Sequence, residues 1–272
     1  MIRTVKMTEE EYRKHVGVNK STLWEIRKSP AHYKWALEHP GEDTPALRFG
    51  RAIHTAVLQP REFNKRYAVA PDGIDRRTKE GRAAWADFME SVGDREVLTD
   101  AECDEIRAIA KSVRKCAGTL LKGCKREVPL FWDDPRTGIY CKCRIDAIRE
   151  DPDRVVVIDL KTTMDAGLET FTRSAIRYGY HVQAAHYMEG VRATLETSKP
   201  IEWWFIAVEK KAPYAVSLIR ADQGLIDEGM YRRMSLMDRL DECMRTDTYP
   251  GYGVNVMYMP AWAVGNDEEE EE

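Results

Sequence analysis

The stretch CRIDAIREDPDRVVVIDLKTT, from Cys143 to Thr163, decides the fold. Two strand-like runs flank a polar turn, which is the pattern of a β-hairpin. The second run is almost entirely Val, Ile and Leu, as in a strand covered on both faces, yet it ends with Asp159 and Lys161. Acids and lysines are rarely buried unless they are paired or take part in chemistry. These two residues are therefore the first candidates for function.

The hairpin geometry brings a second acid close to Asp159. If residues 151–154 form the turn, residue 150 pairs with 155, and Asp146 lies opposite Asp159 with ~5 Å between their Cβ atoms. Two carboxylates that close repel each other unless a cation or a proton lies between them. Oxygen ligands of this kind suit Mg²⁺ or Mn²⁺. A solvated Lys–Asp ion pair is the alternative, and the apolar flanks of the strand weigh against it.

The rest of the chain predicts one α/β domain over residues 1–266, followed by an acidic tail, 267–272. Residues 1–125 show mainly helical spacing, most clearly at 100–121. Earlier helix starts are predicted at Ser21 or Thr22, with Glu25 completing a capping box, and at Ser29 before Pro30. A further helix over 47–59 is predicted to end at Pro60.

Residues 126–266 predict the order β-β-β-α-β-β with a final helix. The five strands are expected at 127–134, 138–150, 154–163, 202–210 and 214–222. One helix is expected over 168–195 and another over 223–245, with a loop-rich segment after it. The fold class is thus a central mixed β-sheet flanked by helices, with a helical N-terminal region.

Composition narrows the class of protein. The chain has 272 residues, 43% hydrophobic and 32% charged, and no apolar run near the ~20 residues of a membrane span. The N-terminus lacks the apolar stretch of a signal peptide, so a cytoplasmic protein without membrane association is expected. Without the six acidic tail residues the formal net charge changes from −4 to +2. Overall charge therefore neither favours nor excludes a nucleic-acid partner.

Four further residues are candidates for function. Gln183 and Tyr187 are i, i+4 neighbours on a predicted helix, where they can bind a lysine or a phosphate; a Tyr facing the core is the alternative. His54 lies in the apolar run FGRAIHTAVLQ, one turn after the basic Arg51, and a core histidine is the ordinary interpretation. Glu127 begins the first predicted strand, either near a metal or at an exposed strand end.

Together these residues resemble the PD-(D/E)xK nuclease superfamily in its RecB-like branch, with His, Asp, D-x-K and Q-x-x-x-Y in that order. The chain is most similar to RecE-type exonucleases (exonuclease VIII) of phage and prophage origin. SPAHYKW, FGRAIHTAVLQP, DRRTKEG, FWDDPRTGIYCKCRIDAI, VIDLKTT and YHVQAAHY carry this resemblance, which covers roughly residues 20–262. It implies the restriction-endonuclease-like core and phosphodiester hydrolysis.

The resemblance also implies roles for the site residues. Mg²⁺, for which Mn²⁺ substitutes, would be held by His54, Asp146, Asp159 and the Leu160 carbonyl. Lys161 would orient or deprotonate the attacking water or stabilise the phosphate, and Gln183 and Tyr187 would position it. Cas4-like relatives hold an iron–sulfur cluster through one upstream and three closely spaced downstream cysteines. Only Cys243 lies downstream here, so no cluster is predicted, and the six cysteines are expected to be free thiols.

Nucleic-acid contacts and partners complete the expectation. Basic residues expected to bind DNA phosphates are Arg51, Arg76, Arg77, Lys79, Arg82 and Arg144. The resemblance implies 5′ to 3′ digestion of linear duplex DNA from its ends, a RecT-type annealing partner, and a homo-oligomeric, tetrameric ring. A structure-specific or Cas4-like nuclease is the alternative enzyme, and a DNA-binding protein with an inactive nuclease core is the alternative outside enzymes. An interaction module built around the acidic tail is a further one.

Overall fold

A computed structural model describes residues 7–39 and 41–260. The helices there are α1 (Glu9–Lys14), α2 (Lys20–Glu25), α3 (Pro30–Glu38), α4 (Pro45–Leu58), α5 (Pro60–Arg66), α6 (Lys79–Val92), α7 (Asp100–Leu121), α8 (Leu168–Tyr178), α9 (Tyr180–Leu195) and α10 (Gln223–Thr246). The strands are β1 (Tyr67–Val69), β2 (Glu96–Leu98), β3 (Lys125–Asp133), β4 (Tyr140–Glu150), β5 (Val155–Thr163), β6 (Ile201–Glu209) and β7 (Val216–Arg220). Among these helices, none has the length and apolar character to cross a membrane.

The main sheet has five strands in the order β3-β4-β5-β6-β7. Only the β5/β6 pair is parallel; the other three neighbouring pairs are antiparallel. The two faces of β5 belong to separate cores. Val155 and Val157 pack toward α8, α9 and α10, whereas Val156, Ile158 and Leu160 pack toward α4 and α7. The predicted mixed sheet flanked by helices, with a helical N-terminal region, is confirmed.

Several local predictions need correction. The expected helix over 168–195 is two helices, because Gly179 adopts a left-handed conformation between α8 and α9. The capping box at Thr22 is wrong, since the Asn19 side chain caps α2 by accepting from the Thr22 backbone N–H. Pro60 starts α5 as well as following α4, as the first helical position tolerates a residue without an N–H. The acidic tail 267–272 lies outside the described residues.

The hairpin at 143–163 has the predicted turn and register over its closed part. Glu150 pairs with Val155 and Ile148 with Val157, but the β4/β5 ladder ends at the pair Ala147 and Ile158. Beyond that point β4 pairs with β3 and β5 pairs with β6. The two strands thus separate at Asp146 and Asp159. The predicted register makes these two acids a ladder pair, and this prediction is wrong. This separation, the fork, positions the candidate site.

The N-terminal segment enters the open side of the fork. Val18 forms a parallel bridge with Cys141, donating its N–H to the Tyr140 carbonyl and accepting from the Lys142 N–H. The Lys142 ammonium in turn donates to backbone carbonyls at the end of α1, including that of Tyr12 at 3.1 Å. These contacts satisfy polar groups of β4 that β5 no longer reaches. They also hold α1 beside the site.

Candidate active site

Three metal-ligand side chains meet in the fork. His54 of α4, Glu127 of β3 and Asp146 of β4 each offer a ligand atom, and these atoms lie within 4.8 Å of one another. His54 Nδ1 is 3.6 Å from Asp146 Oδ2. All three side chains are only partly buried, so they are open to a ligand. We call this group the donor cluster.

The backbone around the donor cluster departs from regular strand geometry. Glu127 has a φ of +51°, which is uncommon for a residue with a side chain. The β3/β4 ladder is regular on both sides, at Arg126 with Ala147 and at Val128 with Ile145, and it is interrupted between them. Strained backbone of this kind persists where the surrounding structure enforces it, commonly at functional sites. Here it places Glu127 beside Asp146.

Glu127 lies in an environment that disfavours its charge. Burial, followed by the negative charge of Asp146, raises its pKa to about 7, although Arg144 and His54 act in the opposite direction. Arg144 Nε is 2.8 Å from the Glu127 carboxylate. A divalent cation would relieve the repulsion between the two acids, because it is the stronger positive charge. The donor cluster therefore has the chemistry of a cation site.

Next to it lies a second group, the lysine cluster, consisting of Asp159, Lys161 and Gln183. Lys161 Nζ is 2.5 Å from Asp159 Oδ2, and Gln183 Nε2 donates to Asp159 Oδ1 at 2.6 Å. Both Asp159 and Gln183 are buried. The backbone N–H of Leu160 donates to Asp146 Oδ2 at 2.8 Å, which ties the lysine cluster to the donor cluster.

The charges of the lysine cluster support one another. Burial works to lower the pKa of Lys161, but the carboxylates of Asp159 and Asp146 outweigh it, and the pKa is raised. Lys161 is therefore an ammonium at neutral pH. The pKa of Asp159 is raised, chiefly by burial and in part by the charge of Asp146, although the Lys161 ammonium opposes the rise. Asp159 is not one of the three residues whose ligand atoms converge in the donor cluster.

A cleft of about 380 Å³ is lined by members of both groups. Its lining includes His54 and Glu127 from the donor cluster and Lys161 from the lysine cluster. The basic residues in that lining are Arg51, Arg66, Arg144, Lys161 and Lys210. A single acid beyond the donor cluster, Glu9 of α1, also lines it, and Glu9 is 3.7 Å from Arg144 and 3.9 Å from Arg66. The cleft thus combines a cation site with anion-binding side chains.

The structure brings most of the predicted site residues together. His54, Glu127, Asp146, Asp159, Lys161 and Gln183 all lie at the fork. Tyr187 is on the same helix face as Gln183, but its ring packs on Trp203, with 5.8 Å between the ring centroids. Gln183 binds Asp159 and not Lys161. The contact expected between this helix and the lysine is made by another residue of α9, Tyr180.

The predicted DNA-binding residues fall into two groups. Arg51 and Arg144 line the cleft, although Asp43 holds Arg51 through two contacts of 2.6 and 2.7 Å. The other four, Arg76, Arg77, Lys79 and Arg82, are exposed around the start of α6, outside the cleft lining. Because these four residues do not line the cleft, contact between them and DNA stays a prediction.

Sequence reasoning missed Tyr180, the first residue of α9. Its ring centroid is 4.7 Å from Lys161 Nζ, and the ring lines the cleft. The signal was its position three residues before Gln183, which puts both on one helix face. Lys20 was missed as well. Burial, and then the charge of Lys161, lowers its pKa to about 8.

The family comparison agrees with this geometry. Residues 19–260 match the family described as PDDEXK-like domain of unknown function (DUF3799). The chain belongs to this family. Among curated protein sequences, none matches the chain. The PDDEXK-like assignment covers α2 through the segment after α10, and thus both clusters of the site.

Two solved structures resemble this PDDEXK-like chain. One, from Eubacterium rectale, is described as a candidate exonuclease; it is 14% identical, with 94% of this chain and 96% of that chain aligned and a TM-score of 0.60. The other is described as a phage-related exonuclease from Haemophilus somnus 129PT; it is 13% identical, with 87% and 98% aligned. Its TM-score of 0.35 is too low to support an argument. The first shows that the two chains share a fold.

Proposed function

We propose that this protein is a metal-dependent exodeoxyribonuclease of the RecE type, which digests linear double-stranded DNA from its ends. The observation that carries the proposal is the fork, where the donor cluster and the lysine cluster lie in one cleft. Each cluster alone has a structural explanation, such as an ion pair. Their combination supplies cation ligands, a fixed ammonium and arginines for phosphate in one place, which is what phosphodiester hydrolysis requires.

The donor cluster fits Mg²⁺ or Mn²⁺ by its chemistry. Carboxylate oxygens, which two of its three members supply, are hard ligands that suit both ions. His54, Glu127 and Asp146 would hold the ion, and Asp159 and the Leu160 carbonyl are further candidate ligands. When bound, such an ion polarises the phosphate and lowers the pKa of a coordinated water.

The chain's own residues would orient and stabilise the reacting groups. Lys161, kept charged by Asp159, would bind a phosphate oxygen or orient the attacking water. Gln183 would keep Asp159 directed at Lys161 by donating to its second oxygen. A bound cation would favour the deprotonated form of Glu127, whose pKa is raised to about 7 without one. Tyr187 would support the helix face behind Gln183 through its packing on Trp203.

Basic side chains would direct the DNA backbone to the site. Arg144 and Arg66 line the cleft and lie 3.7 and 3.9 Å from Glu9, distances at which a phosphate can replace that carboxylate. Arg144 would keep its closer contact, 2.8 Å from Nε to the Glu127 carboxylate. The exposed cluster at the start of α6 would contact the duplex farther from the cleavage point. DNA held by local basic residues needs no strongly basic surface.

Digestion from 5′ to 3′, a RecT-type annealing partner and a tetrameric ring are part of this proposal on the strength of the family resemblance. An exposed apolar segment supports a protein partner or a further copy. Tyr252, Val254, Val256, Met257, Tyr258 and Met259 are 67–100% exposed. Light scattering on the wild type and on a Val254→Asp, Val256→Asp variant tests this, with dissociation expected for the variant. An unchanged mass would assign the contacts elsewhere.

The test of activity uses linear duplex DNA labelled at either the 5′ or the 3′ end, with Mg²⁺. Release of the 5′ label as mononucleotide, with a covalently closed circle left intact, is the expected result. Cutting of the circle would favour a structure-specific or Cas4-like nuclease with the same fold. DNA binding without any cutting would favour a binding protein with an inactive core.

Deleting residues 267–272 tests the acidic tail, since loss of activity or binding would assign it a role.

A further inference from the structure

The position of Lys161 depends on more than its ion pair. Asp159 contacts the ammonium on one side, and the ring of Tyr180 lies 4.7 Å from it on another. A cation over an aromatic face is attracted to the ring's negative face, more strongly where water is excluded. The Lys161 side chain is only 17% exposed, so this condition is met. The ring therefore restricts where the ammonium can move.

Tyr180 is itself fixed in place by other rings. Its centroid is 6.1 Å from that of Phe171 and 6.1 Å from that of Phe205. Both phenylalanines are buried in the core between the sheet and α8, α9 and α10. A side chain packed this way loses its rotamer freedom, so it presents one face to its neighbour. Lys161, a flexible chain, is thus set against a rigid surface.

The backbone before Tyr180 is equally constrained. Gly179 has a φ of +68°, and a Cβ there would lie 2.7 Å from the Trp24 ring of α2. Lys20, also of α2, donates to the Tyr178 carbonyl. The turn between α8 and α9 is therefore held by α2 and tolerates only glycine. It fixes the start of α9, from which both Tyr180 and Gln183 reach the lysine cluster.

We propose that Tyr180 is a positioning residue that holds the Lys161 ammonium against Asp159 through its ring face. The expected effect on kcat rests on the proposed function, whereas the contact between the ring and the ammonium does not depend on it. The ring face is the active part, so Tyr180→Phe preserves it and Tyr180→Leu removes it. Tyr231→Leu is the matched control, because Tyr231 of α10 is a 71% exposed tyrosine, whereas the ring of Tyr178 itself lies 6.0 Å from that of Tyr180.

Two measurements on the full-length protein test the proposal. The first follows lysines labelled with ¹³C at Cε, with the Lys161 signal assigned through its loss in Lys161→Arg. Aromatic ring current shifts this signal upfield in the wild type, in Tyr180→Phe and in Tyr231→Leu, and the shift is lost in Tyr180→Leu. An unshifted Lys161 signal in the wild type, or no change in Tyr180→Leu, would overturn the proposal. Tyr180→Met serves if Tyr180→Leu fails to fold.

The second measurement is kinetic, on linear duplex DNA with Mg²⁺. Tyr180→Leu should lower kcat roughly tenfold, ~1.4 kcal/mol of barrier, with little change in KM. Tyr180→Phe should keep kcat within about twofold of the wild type. A raised KM with unchanged kcat would contradict the proposal and make Tyr180 a DNA contact. If the wild type cuts no DNA, the proposed function fails, and the lysine signal alone decides the role of Tyr180.

Discussion

The donor cluster and the lysine cluster lie side by side, yet they are built on opposite principles. In the donor cluster two carboxylates and an imidazole converge without a sufficient opposing charge, and the pKa of Glu127 rises to about 7. In the lysine cluster the ammonium of Lys161 satisfies one oxygen of Asp159 and Gln183 satisfies the other. Burial raises the pKa of Asp159 as well, but in the lysine cluster a buried ammonium opposes that rise, whereas in the donor cluster Arg144 beside Glu127 is the counter-charge to two acids. A site of this kind places its unfavourable electrostatics where a cation is to bind.

The largest expected effect is on catalysis, where both clusters are needed. Asp146→Asn and Lys161→Met should each reduce cleavage of linear duplex DNA by ~1000-fold or more, which is ~4 kcal/mol of barrier. Asp153→Asn is the matched control, because Asp153 lies in the turn of the same hairpin and is 73% exposed. Steady-state cleavage rates measure this. Substantial activity in either variant would remove that residue from the catalytic account.

Stability should separate the two clusters. Lys161→Met leaves Asp159 buried without its cation, and it should cost about 1–3 kcal/mol of unfolding free energy, less than for a fully buried pair because the lysine keeps some exposure. Glu127→Gln removes a charge that the metal-free protein disfavours, so its stability at pH 8 should be equal or higher.

Urea denaturation without divalent cations checks both variants. Equal losses in the two would mean that the clusters do not differ as proposed.

The direction in which Glu127 changes stability with pH follows from its raised pKa. The folded protein holds this proton more tightly than the unfolded chain, so its contribution to stability decreases as pH rises from the ordinary value of 4.5 to about 7.

Metal affinity should depend on pH for the same reason. Below pH 7 Glu127 is protonated and must release its proton before a cation binds. Mn²⁺ affinity should therefore fall about tenfold from pH 8 to pH 6, one proton being released per ion bound at the lower pH. Calorimetric titration in buffers of different ionisation enthalpy counts that proton. A pH-independent affinity in this range would show that Glu127 is not a ligand.

The smallest effect is expected far from both clusters. Reversing the charges of Arg76, Arg77, Lys79 and Arg82 should weaken DNA binding and flatten its salt dependence by ~0.9 in log–log slope for each lost phosphate contact. Reversing four exposed basic residues of α7, Arg107, Lys111, Arg114 and Lys115, is the charge-matched control. Anisotropy titrations at several salt concentrations provide the slopes. Unchanged slopes would make the cluster at the start of α6 ordinary surface.

Most of the fold followed from patterns that are local in sequence. Period-two and apolar runs identify the five strands of the main sheet, though not the short strands β1 and β2, and helical spacing identifies α7 over its whole length. The break at Gly179 was not predicted, because a single glycine in a helical pattern does not reveal the Trp24 ring packed against it. Nor did the strand pattern show the fork, because ladder pairing is interrupted by contacts of the distant N-terminal segment with β4.

The same limit applies to the site. Asp159 and Lys161 stood out because they end an apolar strand, and the register brought Asp146 close. The position of Glu127 in the donor cluster depends on a positive φ that no propensity predicts for glutamate. The partner of Lys161 also depends on tertiary packing, which brings the Tyr180 ring to the ammonium. Residues on one strand or helix face could be grouped from sequence, but contacts between elements could not.

The central claim is that the donor cluster binds a divalent cation which the reaction needs. Calorimetric titration of Mn²⁺ into the wild type, Asp146→Asn and the control Asp153→Asn tests it most directly, with duplex cleavage followed on the same samples. The account predicts Mn²⁺ binding and cleavage in the wild type and the control, and the loss of both in Asp146→Asn. Undiminished Mn²⁺ binding by Asp146→Asn, or cleavage by the wild type in excess chelator, would contradict it.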